Sequence, residues 1–206
     1  MGNDLWAYEK KAMDQGYFRI AGVDEAGRGP LAGPVVSAAV IMPGFLGISH
    51  EVDSKKLSQK KREALYQTIY DHAVSIGIGI VDHREIDRIN ILNASLLSMA
   101  MAVKNLWPPP DYLMIDGIFS IPCELPQKPI PKGDSLSLSI GCASIVAKVT
   151  RDRLMERHHQ EDPRYGFNRH KGYPTKEHKA AIAIYGLSQI HRKSFKGVKE
   201  YENSVP

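Results

Sequence analysis

Phe18-Arg19-Ile20-Ala21-Gly22-Val23-Asp24 decides how the rest of the chain reads. Small and branched apolar residues run unbroken from Ile20 to Val23, which predicts a β-strand. Gly27-Arg28-Gly29-Pro30 breaks it, and residues 34–42, containing VVSAAVIM, predict a second strand. So short a break makes the two strands antiparallel neighbours.

Strands and helices alternate outward from this pair. Residues 4–14 predict a short helix capped by Asn3. Ser58 caps a helix whose apolar residues Leu65, Ile69 and Ala73 recur every four positions. Residues 74–81 (VSIGIGIV) alternate as a third strand. Residues 84–106 predict a helix with the stripe Ile89, Leu92, Leu96, Met99 and Val103, ended by Pro108-Pro109-Pro110. Residues 112–115 are wholly apolar, as suits a strand buried on both faces, and Asp116-Gly117 closes them. A proline-rich loop follows, then Lys132-Gly133-Asp134. Residues 137–160 predict a long helix, small and apolar in its first half and charged in its second; a last helix covers 175–185. The order predicts an α/β fold, a mixed sheet covered by helices, in one domain over residues 1–206.

At 206 residues, with 43% hydrophobic and 24% charged residues, the chain excludes a disordered, collagen-like or disulfide-scaffold protein. Cys123 and Cys142 lie in unrelated contexts and suit free thiols in a reducing compartment. The first twenty residues hold no apolar signal core, and Trp6 stands where a myristoylation site needs Ser or Thr. The longest uncharged run, residues 29–50, is interrupted by Pro30, Pro34 and Pro43. A cytoplasmic, monomeric protein without membrane attachment is expected.

The net charge of +4 hides an asymmetry. Residues 169–199 hold eight Lys or Arg and one acid, and residues 53–62 hold five against one. A lysine-rich solvated surface accounts for this, and so does a polyanion partner. Tyr165, Phe167, Tyr173 and Phe195, interleaved with the basic residues, suit stacking on sugars or bases.

The informative acids are those in apolar surroundings. Asp24 and Glu25 end one apolar strand, Asp116 ends another, and Asp134 precedes a small-residue helix. Each has an ordinary reading: a turn cap before Gly27, a turn dipeptide with Gly117, a helix cap. Gathered on one sheet edge, however, four carboxylates need a counter-charge, and Mg²⁺ or Mn²⁺ suits such oxygen donors. Gly27-Arg28-Gly29-Pro30-Leu31-Ala32-Gly33 is not a dinucleotide loop, since its third glycine is late and a strand follows. Its glycines can instead expose backbone to close approach, or simply make a turn.

GVDEAGRGPLAGPVVSAAVI (22–41) resembles the first motif of the type 2 ribonucleases H, the ribonuclease HII family. DSKKLS (53–58), EIDRINILNAS (85–95), IDG (115–117), KGD (132–134), ASIVAKVTRDRLM (143–155) and HKGYPTKEH (170–178) resemble its later blocks. Residues 17–197 are covered; Gly141-Cys142 departs from the more usual alanine pair, a packing change. The resemblance implies the ribonuclease H-like fold, with a helical C-terminal part over about 170–206. It implies that Asp24, Glu25, Asp116 and Asp134 bind two Mg²⁺ or Mn²⁺ ions and are catalytic. It implies that Gly27, Arg28 and Gly29 read the ribose 2′-hydroxyl, that Tyr173 stacks on the following deoxyribose, and that Lys55 contacts phosphate. Arg28 between the glycines, and the 23 residues ahead of Asp24, fit type 2 rather than type 3 enzymes.

The implied activity is metal-dependent cleavage 5′ of a ribonucleotide in RNA/DNA hybrids and at single ribonucleotides in duplex DNA. The products implied are 3′-hydroxyl and 5′-phosphate ends, and the implied role is removal of misincorporated ribonucleotides. Two other readings compete. His170, His178 and His191 could act as general acid and base in a metal-independent ribonuclease that leaves a cyclic phosphate. A non-catalytic nucleic-acid-binding module is the second.

Overall fold

β1 (Ile20–Ala26) and β2 (Val35–Ile41) pair antiparallel, with Ala21 opposite Ile41 and Asp24 opposite Ala38. The computed structural model describes residues 4–43 and 57–201. β3 (Ser75–Val81) extends the sheet antiparallel to β2. β4 (Tyr112–Asp116) joins the other side of β1 in parallel, and β5 (Gln127–Ile130) joins β4 in parallel. The order across the sheet is β3-β2-β1-β4-β5.

β5 lies inside the stretch expected to be a proline-rich loop. Pro129 removes a backbone donor and masks the strand signal. The edge of the sheet tolerates that loss, because one side of an edge strand has no neighbour to bond.

The helices are α1 (Ala7–Met13), α2 (Gln59–His72), α3 (His83–Lys104), α4 (Leu138–Glu161), α5 (Phe167–His170) and α6 (Lys176–Tyr185). α4 and α3 cover opposite faces of the sheet, and the period of two in β2 serves both. Ala38, Val40 and Met42 pack with Cys142, Ile145 and Val149 of α4. Ala39 and Ile41 pack with Met99, Ala102 and Val103 of α3. β2 is therefore buried along its whole length, which is why it reads as a continuous apolar run. Gly22 lets α4 lie close on β1: a Cβ there would collide with the backbone of Ser139 and Ile140. α4 starts at Ser137, whose side chain accepts from the Ile140 N–H.

α3 departs from the single stripe expected. Asn90 has φ 68°, which breaks the helix, and its Oδ1 then accepts from the Asn93 N–H and caps a fresh start. Met99 and Val103 are buried, while Ile89, Leu92 and Leu96 are only half-buried. By length and composition α3 could cross a membrane, but here its inner face lies on the sheet.

α1 begins at Ala7, later than expected, and Asn3 lies outside the described residues. The helix has a clear task. Glu9 is buried, and its Oε1 accepts from Ser137 Oγ at 2.7 Å and from the Ser139 N–H at 3.0 Å. Leu5 O accepts from the Leu138 N–H. The segment thus satisfies donors at the N-terminus of α4. Burial raises the Glu9 carboxyl above its usual range, and its Oε2 has no hydrogen-bond partner among the described residues. Glu9→Gln should therefore change stability little, since Oε1 remains and no charge is buried. Glu9→Ala should cost about 1–3 kcal/mol in urea denaturation, the penalty of orphaned buried donors.

Candidate active site

The parallel register of β1 and β4 runs to Val23 opposite Ile115. The next residues, Asp24 and Asp116, follow this last pair on adjacent strands, where both still pair with their outer neighbours, Ala38 and Ile130. Asp24 is 5% exposed; its Oδ1 accepts from the Glu25 N–H at 2.7 Å, and Ser144 of α4 also bonds its carboxylate. Burial, then the charges of Glu25 and Asp116, push the Asp24 carboxyl well above the usual carboxylate range. Glu25 is also raised, by burial first and by Asp116, against the lowering influence of Arg28. Arg28 Nη1 stands 3.4 Å from Glu25 Oε1.

Asp116 Oδ1 accepts from the Gly133 N–H at 2.6 Å, tying β4 to the 3₁₀ turn Gly133–Ser135. Asp134 sits on that turn and is 5% exposed. Asp24, Glu25 and Asp116 line a cavity of about 440 Å³ together with residues 27–29, Arg62, Ser144, Lys148 and Tyr173. No three His, Cys, Asp or Glu side chains among the described residues close into a preformed ligand cage. The donor chemistry nevertheless fits a divalent cation. Three hard-oxygen carboxylates meet one cavity, and Asp116 raises both of the others, a penalty that a cation reverses.

Residues 27–29 line the same cavity. Gly27 has φ +101°, and a Cβ there would run into the Arg151 side chain, so glycine is required on both counts. Two fully buried guanidiniums hold this loop from below. Arg192 donates from Nη2 to Gly27 O at 2.6 Å, from Nη1 to Arg28 O at 3.0 Å and from Nε to Gly33 O at 2.9 Å. Arg151 donates to Pro34 O, Ala32 O and Lys171 O. Burial is the main cause lowering both groups, Arg151 to about 10 and Arg192 to about 9. These clamps escape sequence reasoning because each lies in an ordinary basic run, KVTRDR or HRKSF. The available signal was position: Arg151 is seven residues after Ser144, on the same face of α4.

Tyr173 is 41% exposed at the cavity, and a Cβ on Gly29 would lie 3.5 Å from its Cε1. Tyr165 and Phe167, expected as stacking aromatics, are instead 1% exposed and stacked on each other in the core at 5.4 Å. Phe195 is half-buried and packs inward. The interleaving misled because these rings anchor the basic segment rather than decorate it. Lys55 lies outside the described residues. Lys148, absent from the expected set, lines the cavity and bonds Asp152 at 2.6 Å, and burial lowers its ammonium.

His170, His178 and His191 are buried, line no part of this cavity, and bond one another, the backbone or the Ser188 hydroxyl. Burial lowers His178 to about 4 and His191 to about 3, so both are neutral imidazoles at neutral pH and neither is an imidazolium general acid. Cys123 and Cys142 are free, and burial raises the Cys142 thiol to about 12.

Comparison with known proteins agrees with this arrangement. The pattern of the family described as ribonuclease HII matches residues 21–198. A ribonuclease HII from Geobacter metallireducens is 58% identical over 96% of this chain and 92% of its own. One from Geobacter sulfurreducens is 54% identical over 96% and 91%. Among solved structures, the ribonuclease H2 from Pyrococcus horikoshii OT3 superposes with a TM-score of 0.74 at 25% identity, covering 91% of this chain and 98% of that one. The mixed five-stranded sheet with its flanking helices is thus the ribonuclease H-like fold. With its sequence matched along nearly its whole length, the chain belongs to the ribonuclease HII family and is a ribonuclease H endonuclease.

Proposed function

We propose that the enzyme hydrolyses the phosphodiester on the 5′ side of a ribonucleotide, in RNA/DNA hybrids and at single ribonucleotides embedded in duplex DNA. It leaves 3′-hydroxyl and 5′-phosphate ends. The observation that carries this reading is one cavity lined by Asp24, Glu25 and Asp116 together with residues 27–29 and Tyr173. Asp24, Glu25, Asp116 and Asp134 are the residues to hold two Mg²⁺ or Mn²⁺ ions. When bound, such ions supply positive charge for the attacking water and the leaving 3′-oxygen.

The chain's own groups do the selecting. The backbone of Gly27, Arg28 and Gly29 reads the ribose 2′-hydroxyl, the group that separates RNA from DNA. The Tyr173 ring packs on the deoxyribose that follows. Lys148 and Arg62, at the cavity, and Lys55 meet phosphate oxygens. No side chain serves as nucleophile. The free thiols of Cys123 and Cys142 support a reducing, cytoplasmic setting, where a monomer removes misincorporated ribonucleotides.

End-group analysis of a labelled DNA duplex with one internal ribonucleotide tests this reading. The expected product is a cut 5′ of the ribonucleotide with a free 3′-hydroxyl. A 2′,3′-cyclic phosphate 3′ of it would contradict the reading. Base or sugar stacking on an aromatic ring is worth about 1–3 kcal/mol, a factor of roughly 5–150. Tyr173→Ala should lose activity in that range on the single-ribonucleotide duplex, and less on a uniform RNA/DNA hybrid, with Kd for duplex nearly unchanged. Equal loss on both substrates would remove the sensing role.

A further inference from the structure

Tyr173 is held by a chain of neutral histidines whose proton positions the surroundings dictate. The Ser188 N–H can only donate, and it points at His191 Nδ1 from 2.8 Å; the Ser188 hydroxyl, 2.7 Å from the same nitrogen, can donate as well and follows the N–H. His191 Nδ1 is therefore an acceptor, and its proton sits on Nε2. His191 Nε2 lies 3.1 Å from His178 Nε2, so that second nitrogen must accept. The remaining proton of His178 is then on Nδ1, where it donates to Tyr173 O at 2.9 Å.

Both rings are at most 1% exposed. His170 stacks on His178 at 4.4 Å, accepts the Gly172 N–H on Nδ1 and so donates from Nε2 to Tyr165 O. The far end of the chain is anchored as well. His191 bridges Ala32, and the next residue is Arg192, which clamps Gly27 O and Arg28 O. One dipeptide thus connects to Tyr173, through His178, and to the Gly27–Gly29 loop.

We propose that His191 and His178 are positioning residues: their hydrogen-bond chain fixes the Tyr173 backbone, and with it the spacing between the Tyr173 ring and the Gly27–Gly29 wall. The inference rests on the sugar-sensing role proposed for Tyr173. Its chemistry is specific. Without the His191 N–H, His178 can move its proton to Nε2, and the bond to Tyr173 O is lost.

Two measurements test it. Long-range ¹H–¹⁵N correlation on the wild-type protein should show His178 as the Nδ1–H tautomer and His191 as Nε2–H; the opposite tautomer at His178 overturns the proposal by itself. His191→Phe keeps the ring's shape without its N–H. It should switch His178 to Nε2–H and lower kcat/KM about tenfold on the single-ribonucleotide duplex, with a smaller loss on a uniform hybrid. His191→Gln, which restores a donor, should recover most of that loss. Tyr173→Ala, run alongside, separates the two ideas. A selective loss in Tyr173→Ala with none in a folded His191→Phe overturns the histidine chain alone. No selective loss in Tyr173→Ala overturns the sensing role and the chain with it.

Discussion

Asp24→Asn is expected to abolish cleavage while making the metal-free protein more stable. The two effects share a cause. Asp24 is buried against Glu25 and Asp116, so its carboxyl is raised well above the usual range. The folded state therefore holds this proton more tightly than the unfolded state does. Stability falls as pH rises from the unfolded value, about 3.9, through the raised folded value, and stays reduced above it. Asn carries no charge and keeps an oxygen to accept the Glu25 N–H that now bonds Asp24 Oδ1 at 2.7 Å. In EDTA at neutral pH the variant should melt higher, by about 2–4 °C for each kcal/mol recovered. Cleavage should fall at least roughly 10²–10³-fold, as when a charge-stabilising group at a reacting centre is removed. Retained turnover, or a lower Tm in EDTA, would remove Asp24 from the site's centre.

Arg192→Ala should be the most damaging change outside the carboxylates. It strips three backbone carbonyls, those of Gly27, Arg28 and Gly33, of a donor that is fully buried. Each carbonyl left dry costs about 1–3 kcal/mol. Arg192→Lys should rescue only part of this, because a single ammonium cannot present donors to carbonyls spread along the loop as a planar fork does. Denaturant unfolding and kcat/KM on a ribonucleotide-containing duplex should fall together in Arg192→Ala. Wild-type-like values in both would mean that the loop holds its shape unaided.

Much of this architecture can be read from the residues because burial on two faces leaves a mark. β1, β2 and β4 are almost free of polar residues, and an acid at the end of such a strand stands out. That is how Asp24, Glu25 and Asp116 show themselves before any fold is known. Their convergence depends on the parallel pairing of β1 with β4, which no local pattern encodes. Asp134 carries the same mark and lies on the 3₁₀ turn that the Gly133 N–H ties to Asp116. β5 is concealed by Pro129, and the restart of α3 at Asn90 is concealed within a good helical stripe.

The clamps are the least legible part. Arg151 and Arg192 have the composition of a solvated surface and the location of a core; only long-range contacts to the loop of residues 27–34 distinguish them. The same holds for Tyr165 and Phe167, whose basic neighbours face outward while the rings face in.

The most direct test of the central claim, that carboxylates on one cavity cut through divalent cations, is single-turnover cleavage of a duplex with one ribonucleotide. The reaction is run with EDTA and then with Mg²⁺ or Mn²⁺ restored. The wild type should show no cleavage in EDTA and full recovery with metal, and Asp24→Asn should show no recovery. Cleavage that persists in EDTA, or an Asp24→Asn variant restored by metal, would contradict the claim.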